Sequence, residues 1–120
     1  MTAQGSPYAR FERALQSRNA TLVRAAAAEL PHVGLEDALR VCLVLASAER
    51  DRYEPLAVRW LGRLLLEERG VTLAEAQLAA AALTALQRPG SEAATLAAFG
   101  AFCEVRGLAR AARALEELGL

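Results

Sequence analysis

Alanine occurs 28 times and leucine 21 times in 120 residues, and they recur at helical spacing along nearly the whole chain. These two residues, with arginine and glutamate, are among the strongest helix formers. β-branched residues are scarce, isoleucine is absent, and no apolar/polar alternation persists beyond a few residues. No strand pattern competes with the helical one. The chain is therefore expected to be all-α. Much of its 54% hydrophobic content is alanine, whose small side chain suits closely packed helices better than roomy cavities.

Punctuation along the chain divides it into about seven helices. Ser6-Pro7 offers an N-cap followed by proline at the first helical position. The first helix should then reach about Arg18, with Tyr8, Phe11 and Leu15 inward. Asn19 should cap a second helix ending at Leu30, with Leu22, Val23, Ala26, Ala27 and Leu30 at helical spacing, before Pro31 and Gly34 turn the chain.

A third helix is expected over Leu35 to Ala48. Its solvent stripe would be narrow (Glu36, Arg40, Leu43 and Ser47), with Glu36 and Arg40 as an i,i+4 ion pair. A fourth should start near Asp51, with Asp51 and Glu54 resembling a capping box and Pro55 in the first turn, and end at Gly70. Its core stripe would be Tyr53, Ala57, Trp60 and Leu64, widened by Val58, Leu61 and Leu65. The third and fourth helices are expected at the centre.

Thr72-Leu73-Ala74-Glu75 is a capping box that should open a fifth helix running to about Gln87. Ser91 should cap a sixth carrying Leu96, Phe99, Phe102 and Cys103, with Gly100 marking a close helix–helix approach. Gly107 should end or bend it. A last helix should run from Leu108 to Leu118, with Leu108, Ala111, Ala112, Leu115 and Leu118 inward. The short joints suggest three antiparallel hairpins and a final helix. Residues 1–6 are expected to be a flexible leader and 7–120 a single domain.

Val-Arg pairs stand at 23/24, 58/59 and 105/106, the first two 35 residues apart. This pattern resembles the second helix of HEAT-like α-helical repeats, in which valine packs inward and arginine follows it. The resemblance implies a stacked array serving as an interaction surface. The proline characteristic of a HEAT first helix is missing from the third and fifth helices, and the spacing is irregular. Two architectures thus remain open: a compact bundle or a short HEAT-like helical-hairpin array.

For function, absences carry most of the weight. All fourteen cations are arginine, so chemistry that needs a lysine amine has no residue to perform it. The same bias favours GC-rich codons, as in a GC-rich bacterial genome. One histidine, His32, sits in a turn, and Cys42 and Cys103 lie in separate apolar runs. Neither metal-ligand spacing nor a Cys–His pair is visible. The two cysteines are expected to be buried free thiols of a reducing cytoplasm. No cofactor and no catalysis are expected; a catalytic reading would need a polar cleft uniting His32, Tyr53 or Trp60.

The formal net charge is zero, which counts against general nucleic-acid binding. The uncharged runs Ala76–Gln87 and Ala93–Cys103 are too short to cross a bilayer, and no secretory signal is visible in the polar N-terminus. The expectation is a cytoplasmic protein–protein interaction or scaffold domain, binding a protein partner or its own copies. The candidate contacts are Arg59, Arg63, Leu66, Arg106, Arg110 and Arg113, with Leu43 and Leu66 exposed. The alternative is an arginine-mediated nucleic-acid or phosphate-ligand binding module, which requires the arginines to converge.

Overall fold

A computed structural model describes residues 6–88 and 93–119. They form α1 (Pro7–Ser17), α2 (Ala20–Ala28), α3 (Leu35–Ala48), α4 (Arg50–Glu67), α5 (Leu73–Ala85), α6 (Ala93–Val105) and α7 (Ala109–Gly119). The described residues contain no strand. Of the expected leader only Ser6 lies among them, and the cap assigned to Ser91 lies outside them.

Local chemistry sets most helix ends. The Ser6 hydroxyl accepts from the Ala9 amide at 2.9 Å and the Asn19 side chain from the Leu22 amide at 3.1 Å. Thr72 and Glu75 close a reciprocal capping box, with bonds of 3.1 and 2.9 Å. After α6, Gly107 takes φ +80°. There the Leu108 amide donates to the Cys103 carbonyl (2.8 Å) and the Gly107 amide to that of Glu104 (3.1 Å). These paired bonds form a Schellman stop. α4 departs from expectation. It begins at Arg50 behind Glu49, with no side-chain cap bond, so Asp51 and Glu54 form no capping box. Pro55 falls beyond the first turn and removes one helical hydrogen bond.

The packing is a closed ring with a flanking hairpin. α3 contacts α4, α4 contacts α5, and so on to α7, which returns to α3; α1 and α2 pack together and also onto α3. α3 is therefore shared by two apolar clusters. Leu35, Leu39, Cys42, Leu43 and Ala46 enter the ring's core, while Val41 and Leu45 enter the cluster with Phe11, Leu15 and Val23. A helix apolar around so much of its circumference needs cover on both sides, and it has it. Leu43, expected in the solvent stripe, is only 5% exposed. The backbone of α4 neighbours only α3 and α5, and α4 reaches α6 through its Trp60 side chain, so α3 rather than α4 is the helix shared by both clusters.

The inward stripe of α4 is the expected one. Tyr53, Ala57, Trp60 and Leu64 are buried, and Trp60 packs edge-on against Phe99 with centroids 5.9 Å apart. Tyr53 donates its hydroxyl to the Leu83 carbonyl at 2.6 Å and Trp60 its Nε1–H to that of Leu35 at 2.8 Å. Both polar atoms are thereby satisfied inside the core. Val58 and Leu65, expected to widen this stripe, face solvent instead, as do Leu22 and, at its edge, Tyr8 and Leu118. Of the three Val-Arg valines only Val23 is buried; Val58 and Val105 are exposed. Gly100 marks no close approach, since a Cβ there meets nothing within 4 Å.

Candidate interaction surface

Helical periodicity that buries positions 53, 57, 60 and 64 of α4 turns 58, 62, 65 and 66 outward. Those positions hold Val58, Gly62, Leu65 and Leu66, so α4 is apolar on its outer face as well. Leu66 is 88% exposed and Val58 64%. Two more exposed side chains, Leu73 (77%) and Val105 (85%), join them at the end of the bundle where α4 stops. Single exposed apolar residues are ordinary, but several on one face and its adjoining end suggest a contact surface.

Arg106 holds that end together. Its guanidinium, in the α6–α7 turn, donates to the Arg69 carbonyl at 2.5 Å and that of Gly70 at 3.3 Å. It also lies 3.5 Å from the Glu68 carboxylate and 3.3 Å from that of Glu75, and its carbon sits 5.5 Å from the Phe102 ring centroid. One arginine thus clips the α4–α5 turn to the α6–α7 turn.

The six residues singled out from sequence divide accordingly. Arg59, Arg63 and Leu66 share α4. Arg59 is exposed, and Arg63 pairs with Glu67 at 2.7 Å. Arg106, Arg110 and Arg113 do not share one side, because the left-handed residue Gly107 breaks the helix between the first and the other two. Arg106 points to the α4–α5 turn. Arg110 reaches back to Glu36, with Nε and Nη2 at 3.1 and 3.0 Å from one carboxylate oxygen. Arg113, exposed on α7 like Arg110, makes no ion pair among the described residues. The expected Glu36–Arg40 pair is replaced by longer-range partners: Glu36 takes Arg110 and Arg40 takes Glu12.

A second polar centre, not foreseen from sequence, lies where α1, α3 and α7 meet. Arg40 grips Glu12 with two bonds, 2.7 and 3.0 Å, and Asp37 with a third at 3.0 Å. Asp37 is the only buried charged residue among those described. The Tyr8 hydroxyl lies 3.0 Å from both Glu12 and Asp37 and accepts from Arg110 at 2.9 Å.

These contacts set the protonation states. Hydrogen bonds from Arg40 hold the Glu12 carboxyl below the usual carboxylate range. Burial pushes the Glu36 carboxyl up, but the side-chain and backbone bonds from Arg110 outweigh it and the net shift is downward. Burial, then hydrogen bonding to Asp37 and Glu12, pushes the Tyr8 phenol up to about 12. The centre therefore sets Glu12 and Glu36, both held low by arginine, beside a neutral phenol. That arrangement ties α1, α3 and α7 together through Arg40 and Arg110.

The residues that a catalytic reading would need do not share a cleft. Tyr53 and Trp60 are in the core with their polar atoms bonded to backbone, and His32 is exposed. Cys42 and Cys103 are buried free thiols, each pushed up to about 12 chiefly by burial, which removes nucleophilic character at neutral pH. Among the described residues no helix is long and apolar enough to cross a membrane. Comparison with protein-family models, curated proteins and solved structures finds no match for this chain.

Proposed function

We propose that this chain is a non-catalytic interaction module that self-associates through the outer face of α4. The observation that carries this reading is the second apolar stripe on α4, opposite the one it buries. Val58, Gly62 and Leu65 follow four-then-three spacing, the seam of a paired helix, with Leu66 beside it.

The seam is self-complementary under a two-fold axis. Antiparallel pairing about Gly62 sets Val58 against Leu65 and Leu66 of a second copy and brings Glu54 near that copy's Arg69. Gly62 has open space around it, so two backbones can approach there. The helix is about 27 Å long at 1.5 Å per residue. A single helix pair of that length makes a small interface, so the association is expected to be reversible and dependent on concentration. The arginines give little support to phosphate recognition, since Arg106 and Arg110 are engaged internally, Arg63 pairs with Glu67 on α4, and Arg113 lies on a different helix from Arg59.

Sedimentation velocity across a concentration series tests the proposal. The wild-type chain should shift from monomer toward dimer. Leu66→Glu should stay monomeric with unchanged far-UV circular dichroism, because Leu66 makes no contribution to the core. A wild-type chain that remains monomeric throughout contradicts the reading.

A further inference from the structure

We infer that the α1–α2 hairpin is an exchangeable arm, which leaves its own ring and docks on α3 of a second copy through the same contacts. The occupant of that seat is already in view. It is the hairpin itself, and every bond it makes with its own ring is equally available to the hairpin of an identical chain.

The hairpin is a unit apart from the ring. α1 and α2 pack on each other, and Arg10 pairs with Glu29 between them at 2.9 Å. Against the ring the hairpin shares a small cluster with Val41 and Leu45 of α3, separate from the buried residues that fill the ring. Supersecondary units with their own cluster are the kind that open as a whole.

Much of the remaining joint is ionic. Arg24 of the hairpin grips Glu49 with bonds of 2.8 and 3.1 Å. Glu12 of the hairpin takes Arg40 at 2.7 and 3.0 Å, and the Tyr8 hydroxyl accepts from Arg110 at 2.9 Å. Each side supplies both signs, so the joint accepts one register, whichever chain the hairpin comes from. On separation these ions regain water, which offsets part of the lost attraction.

The connection between hairpin and ring allows the exchange. Residues 29–34 lie outside both α2 and α3, and residues 31–33 make no hydrogen bond among the described residues. Six extended residues span about 20 Å, enough to carry the hairpin off its own α3. Closed and exchanged forms share the same joint, so the linker sets the balance between them. A short flexible linker gives an effective concentration of about a millimolar, and the wild-type chain is therefore expected to stay closed in dilute solution.

Complementary charge reversals shift that balance and test the inference. Arg24→Glu sets two acids against each other in the closed chain. Glu49→Arg sets a new cation against Arg24 and against Arg52, which lies 3.4 Å from Glu49. Neither chain has a matched closed form, whereas a mixed dimer with exchanged hairpins carries opposite charges at both joints. Both chains also carry Leu66→Glu, so pairing through α4 supplies no dimer and either reading can fail alone. Sedimentation velocity after equilibration should show association in the mixture at least about tenfold stronger than in either chain alone. The chain with both reversals is matched when closed and should stay monomeric. Hydrogen exchange on the wild-type chain gives a second readout: amides of α1 and α2 should exchange together, ahead of those in α3, and faster as salt is raised. A mixture no more dimeric than its separate chains, a double-reversal chain that dimerises as strongly as the mixture, or hairpin amides as protected as those of α3 overturns the inference.

Discussion

Replacing Arg40 with methionine should destabilise the fold by about 2–3 kcal/mol at pH 7, midway between the exposed and buried limits for ion pairs. Methionine keeps an aliphatic stem against the neighbouring helices and removes only the guanidinium. That group is the common partner of Glu12 and Asp37, through the bonds of 2.7, 3.0 and 3.0 Å. Side-chain exposure is 16% for Arg40, 26% for Glu12 and 10% for Asp37. The site is thus too dry for the small value of a surface pair and too wet for the full cost of a buried one. Urea unfolding followed by circular dichroism gives the difference directly, provided the m-value is unchanged.

The penalty should also depend on pH with a definite sign. The folded-state pKa of Glu12 is lowered, so its pairing contributes fully above the unfolded carboxylate value of about 4.3 and is lost as pH falls through the lower folded value. The gap between wild type and Arg40→Met should therefore shrink as pH falls below about 4. A cost under about 0.5 kcal/mol, or one that stays constant from neutral to strongly acidic pH, would refute the reasoning.

Further outcomes follow from other parts of the structure. Gly100→Ala should leave stability unchanged or raise it by up to about 1 kcal/mol, because a helix interior favours alanine over glycine and the added methyl meets nothing; a clear loss on thermal melting would mean another helix does press on that position. Cys42 and Cys103 should resist an aromatic disulfide reagent at neutral pH in the native state and react at two thiols per chain in urea; prompt native labelling would show that the core opens there. Thr72→Ala should cost about 1 kcal/mol by removing one half of the α5 capping box, measured by urea unfolding; no loss would show that this end of α5 does not limit stability.

Sequence disclosed what depends on nearby residues. The Ser6, Asn19 and Thr72 caps, the Gly107 stop, and the Tyr53–Ala57–Trp60–Leu64 stripe are all set within a turn or two of the chain. What escaped is set by distant ones. Leu43 shares a helical stripe with Glu36 and Arg40, so local pattern assigns it to solvent, yet α7 returning to α3 covers that side. Glu36 finds Arg110 rather than Arg40, across 74 positions, because the fold brings the start of α7 beside the start of α3. Val58 and Leu65 read as core by hydrophobicity alone, and only their place on the side of α4 that none of the described helices covers shows them as surface. Of the six candidate contact residues, Leu66 and Arg59 are exposed, whereas Arg106 and Arg110 are engaged by Glu75 and Glu36, partners that local sequence does not reveal.

Cross-linking through one introduced cysteine per chain tests the α4 pairing most directly, since both native thiols are buried. Val58→Cys and Leu66→Cys chains mixed in equal amounts and mildly oxidised should give a mixed disulfide well above the half expected of random pairing, because antiparallel association about Gly62 brings 58 to 66 rather than 66 to 66. Random proportions, or no covalent dimer at concentrations where the wild-type chain sediments as a dimer, would contradict it.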